Sequence, residues 1–77
     1  MAGYFFHHQK SGQLIQDEEG EEYPSLETVR KEAVLSARDI IAEAAKQGRN
    51  ATHESFLIVD DLGQTVLVLK FADALTF

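Results

Sequence analysis

The side chains of this 77-residue chain with chemistry to offer are its histidines and one acidic block. Imidazole and carboxylate together ligate zinc or iron, so His7, His8, His53 and the run Asp17-Glu18-Glu19-Gly20-Glu21-Glu22 are the first place to look for a metal centre. Their spacing does not build one. Neighbours in a strand point to opposite faces, which keeps His7 and His8 from sharing an ion, and His53-Glu54 lacks a second histidine where Leu57 stands. The acidic block has five carboxylates in six positions, but a calcium loop of the EF-hand kind needs alternating ligands with glycine in sixth place, and Gly20 is fourth from Asp17. Nothing apolar flanks the block in sequence to shift a carboxylate, so no acid/base pair is expected. The chain has no cysteine, no glycine-rich phosphate loop and no G-x-S-x-G turn, which excludes the common nucleophile motifs, a thiolate metal site and a disulfide framework. The expectation is no catalytic residue, no metal and no cofactor.

The charge balance, 7 Lys+Arg against 13 Asp+Glu, gives a net −6 that repels a phosphate backbone. Tyr4, Phe5 and Phe6 could stack on bases, but only Lys10 is close enough in sequence to help, so no nucleic-acid partner is expected. No apolar run approaches the roughly 20 residues that span a bilayer, and no basic stretch precedes an apolar one at Met1-Ala2-Gly3-Tyr4. These features read as a soluble, cytoplasmic protein with no membrane partner.

The elements that must position these residues follow from periodicity and turn chemistry. Tyr4 to His8 reads as a strand, Lys10-Ser11-Gly12 as a turn and Gln13 to Gln16 as its return, with the acidic block in an exposed loop or a frayed strand end. Pro24 keeps Tyr23 out of helical geometry, Ser25 can cap a first turn, and Glu27 suits the positive end of the helix dipole. A helix over 25–47 results, stopped by Gly48. Leu26, Val29, Ala33, Ala37, Ile40, Ile41 and Ala44 form a stripe about 120° wide on it, the width that faces a core. The runs 55–60 and 65–71 are rich in β-branched and aromatic residues and make a second hairpin around Gly63, and 71–75 can add a final helical turn.

The sum is one small α+β domain over 1–77, a two-layer β-β-α-β-β sandwich in which one long helix packs on one face of an antiparallel sheet. Alternation puts Phe56, Ile58, Leu67, Leu69 and Phe71 on one face of the second hairpin and Leu57, Val59, Val66 and Val68 on the other. A single helix covers only one of these. An uncovered apolar face marks an interface, and a second copy of the chain is its simplest cover.

Tyr4-Phe5-Phe6-His7, then Asp17-Glu18-Glu19-Gly20 with Glu22-Tyr23-Pro24, Glu32-Ala33, Ala37-Arg38, and the ending from Val59-Asp60-Asp61-Leu62-Gly63 to Phe71-Ala72-Asp73-Ala74-Leu75 together resemble a known family. It comprises small uncharacterised alphaproteobacterial proteins, a domain of unknown function, and the resemblance implies no activity and no site residues. The aromatic first strand, loop proline and Glu-Ala helix are also similar to the partner-binding domain of HicB-type antitoxins, which have an additional strand before the helix that the sequence does not show.

The leading expectation is therefore a non-catalytic interaction domain that self-associates, with Leu57, Val59, Val66 and Val68 at the contact. The alternative is an antitoxin-like or regulatory protein that meets a basic partner through Asp17, Glu18, Glu19, Glu21 and Glu22. A small metal-dependent enzyme ranks third, because so short a chain leaves little room for an enclosed site.

Overall fold

The computed structural model describes residues 2–76. The chain opens with a nine-residue strand, β1 (Ala2–Lys10), which turns into the short β2 (Gln13–Ile15). Ser11 and Gly12 both have positive φ, 48° and 76°, the two-residue turn whose twist matches flanking strands. A third strand, β3 (Glu21–Tyr23), follows the acidic stretch and leads into the helix α1 (Leu26–Lys46). The second hairpin is β4 (Ser55–Asp60) and β5 (Thr65–Lys70), and one helical turn, α2 (Phe71–Ala74), completes the series.

The helix ends are set as the sequence implies. Ser25 sits in extended geometry, and its Oγ accepts from the Thr28 amide at 3.2 Å. At the other end Gly48 adopts φ 76°, which lets its own amide reach the Ala45 carbonyl and the Arg49 amide reach Ala44, so two orphan carbonyls are satisfied.

All the strands are antiparallel in one sheet of order β2-β1-β4-β5, with β3 also pairing β1. β2 takes the C-terminal end of β1 (His8 opposite Ile15), β3 takes its N-terminal end (Gly3 opposite Glu22), and β4 runs along the opposite edge of β1. The strand-strand-helix-strand-strand order and the two-layer α+β architecture are those expected. The acidic stretch divides between the two expected readings: Asp17 to Gly20 form a loop, and Glu21 and Glu22 belong to the strand β3. The pairing supplies the reason: β1 is longer than β2, and its leftover backbone groups at Ala2 to Tyr4 need partners.

Cross-strand partners share a face, so the register sorts the side chains. Phe6, Ile58 and Leu67 lie on one face, as do His8, Phe56 and Leu69. This face carries the core with Val29, Ala33, Val34, Ala37 and Ala44 of α1 and Phe71 and Ala74 of α2. Two helix positions differ from the expected stripe. Leu26, the first residue of the helix, is 46% exposed, and Val34, outside the expected stripe, is buried.

Candidate functional site

The opposite face of the sheet holds Phe5 beside Val59, and His7 beside Leu57 and Val68. Neither helix contributes to it: the residues of α1 and α2 that are buried belong to the core on the other side. Phe5, His7, Leu57 and Val59 are half-buried by their neighbours within the sheet, and Val68 is 56% exposed. The Phe5 and His7 rings stack with centroids 6.4 Å apart, two residues apart on the same strand.

Val66, expected beside Leu57, Val59 and Val68, packs instead against the core. A register shift between Ile58 and Val59 sets Thr65 opposite Val59 and Leu67 opposite Ile58, so Val66 falls in a bulge that reverses its parity.

The acidic stretch forms the rim of this open face, and Asp17 ties it down. One carboxylate oxygen of Asp17 accepts from the Phe6 amide at 3.1 Å, in the stretch of β1 between the ladders to β2 and β3. The other oxygen accepts from the Glu19 and Gly20 amides at 3.2 and 3.1 Å. The Asp17 amide in turn donates to His7 Nδ1 at 3.0 Å, which leaves the proton of a neutral His7 ring on Nε2. Gly20 has φ 66°, and a Cβ there would lie 2.6 Å from the Phe5 ring, so only glycine lets the chain cross so close to that side chain. Two groups of residues far apart in sequence are thus adjacent in space: the loop anchored by Asp17, and the strip of Phe5, His7, Leu57, Val59 and Val68. Glu18 and Glu19 are exposed on the loop, Glu22 pairs with Gly3, and Glu21 lies on the helix side near Tyr23.

Burial alone would raise the Asp17 carboxyl, but the Gly20, Phe6 and Glu19 amides together outweigh it and hold the group below its ordinary value of 3.8. A depressed folded value means stability that is present above pH 3.8 and is lost as the pH falls through the folded value. Asp17→Ala is therefore expected to cost about 1–2 kcal/mol at neutral pH, by leaving partly buried amides without an acceptor. Urea melts of both proteins should show that gap closing once acid protonates Asp17 in the parent; a gap unchanged at low pH would remove the carboxylate from the account.

The remaining histidines go elsewhere. His53 is exposed, and His8 points into the core face, where its Nε2 lies 2.6 Å from Glu54 Oε1. Glu54 is only 6% exposed, and its pairing is with His8 rather than with the neighbouring His53, a partner 46 residues away that nothing nearby in the chain announces. Its position directly before an apolar strand was the one available signal. Among the described residues no group of three or more His, Asp or Glu side chains converges as a metal site, and no helix is long and apolar enough to cross a membrane.

A family model described as a domain of unknown function (DUF6894) matches residues 3–72, and the chain belongs to that family. No curated protein and no solved structure matches it.

Proposed function

We propose that the protein is a non-catalytic self-association module whose contact surface is the open sheet face. The observation that carries the reading is the placement of Phe5, Leu57, Val59 and Val68 on a face that neither helix covers. Apolar surface gathered in one patch gains by being removed from water, and a second copy brings a patch of the same shape. The first hairpin is not available as an internal cover, because β2 extends the sheet beyond β1 instead of folding across it. An acidic, cysteine-free chain suits the reducing cytoplasm as its place of work.

The antitoxin-like alternative has one point of support, in that β3 supplies a strand before the helix. It has less from the acidic stretch, since Asp17 uses its carboxylate on the protein's own backbone.

Sedimentation equilibrium is expected to show a dimer at micromolar concentration and to show Val68→Asp as a folded monomer. The substituted side chain is exposed in one copy, so the circular dichroism spectrum should not change. A parent protein that stays monomeric at high concentration would defeat the proposal.

A further inference from the structure

Along its strands the open face ends in opposite charges. At one end Ser55 lies between Gln9 and Lys70. At the other Gly3 stands opposite Glu22 of β3 and next to Asp61, whose Cβ is 3.9 Å from where a Cβ on Gly3 would lie. Two carboxylates thus close one end of the apolar strip, and an ammonium closes the other. All three groups are exposed, and among the described residues none of them has an ion pair, whereas Lys31 and Lys46 pair with Glu27 and Glu43. Gly3 is a second feature that the single chain does not account for. It is the one glycine of five without a positive φ, and a side chain there would make only an ordinary contact with Asp61. Glycine weakens a strand, and where the backbone does not require it, it marks a place that something else approaches closely.

We infer that a second copy lies on this face with its strands antiparallel to the first, so that Lys70 of each copy meets Asp61 of the other and Gln9 of each fills the notch over Gly3 of the other. The inference rests on the reading of the open face as a self-association surface, and it adds the orientation and the residues that select it. Side chains on one face of a strand recur every roughly 6.7 Å, and packed sheets lie about 10 Å apart. The face therefore has four rows, marked on the β4 side by Ser55, Leu57, Val59 and Asp61. The two middle rows are the apolar ones. A twofold axis between them, in the interface and across the strands, lays the first row of one copy over the last row of the other, and does so twice. Lys70 then stands over the carboxylate end, and Gln9, which is exposed, over Gly3, both being residues of β1. In the parallel arrangement the two carboxylate ends meet each other instead, which like charge disfavours. Glu18 and Glu19 do not compete for Lys70, because their loop is anchored at the β1 side of the sheet and Lys70 belongs to the β5 edge.

The test is a charge swap followed by sedimentation equilibrium. Lys70→Glu and Asp61→Lys, each alone, place like charges together at both ends of the dimer, and each is expected to weaken dimerisation about tenfold. Mixed in equal amounts, the two variants restore an opposite-charge contact at both ends, so the mixture should form a heterodimer about as tight as the parent dimer. Gly3→Val should also weaken the dimer at least about tenfold, while the diluted monomer melts no lower than the parent, because the single chain has room for the side chain. A mixture no tighter than its components, single variants that dimerise like the parent, or a Gly3→Val dimer of parental strength would each overturn this orientation; with Val68→Asp still monomeric, the self-association reading would stand. A parent that stays monomeric would overturn both.

Discussion

Ala37→Glu is expected to leave the chain largely unfolded at room temperature. Ala37 is fully buried on the face of α1 that meets the sheet, and its small side chain is what lets helix and sheet approach. Glutamate there must either place a carboxylate among apolar neighbours without a partner or lever the helix away from the sheet. Either outcome costs several kcal/mol, and a domain of this size has only about 5–10 kcal/mol to lose. The control is Lys31→Glu on the outer face, where Lys31 lies 3.8 Å from the exposed Glu27 carboxylate; its effect should stay within about 0.5 kcal/mol. Circular dichroism melts decide the matter: coincident curves for Ala37→Glu and the parent would show that the helix does not meet the sheet through this residue.

The elements with local signals were legible in the sequence. Ser25, Gly48 and Gly63 act through their own backbone and near neighbours, so the helix and the second hairpin could be placed without knowing what they pack against. Features that depend on partners distant in the chain were not. β3 exists because β1 has backbone groups to share at its N-terminal end, and nothing in Glu21-Glu22-Tyr23 shows that. The bulge that turns Val66 into the core is likewise a property of the β4–β5 pairing, since strict alternation along β5 gives the wrong face. For the candidate site, Leu57, Val59 and Val68 could be grouped by parity, whereas the role of Asp17 required knowing that its loop returns to Phe6 and His7. An acidic run reads as solvated charge when its hydrogen-bond partners are backbone amides, because amides carry no sequence signature.

Phe71→Ala should have the next largest effect, although it changes a residue in a four-residue helix near the chain's end. Phe71 is fully buried, edge-on to Phe56 with ring centroids 4.9 Å apart and 5.2 Å from the His8 ring. Its amide also donates to the Glu54 carbonyl at 2.8 Å, so α2 is held against the start of β4 by backbone and side chain together. Removing the ring leaves a cavity and should cost about 3–5 kcal/mol, a large share of the total. Leu75→Ala, at a residue 56% exposed, should cost little. The loss should also reach the His8–Glu54 hydrogen bond, because Phe71 is one of the two phenylalanine rings that flank His8. A double-mutant cycle of Phe71→Leu with Glu54→Gln, read by urea melts, is therefore expected to be non-additive by about 1 kcal/mol. Additive losses would show that Phe71 fills space without sheltering the pair, and a Phe71→Ala protein as stable as Leu75→Ala would show that α2 does not close the core.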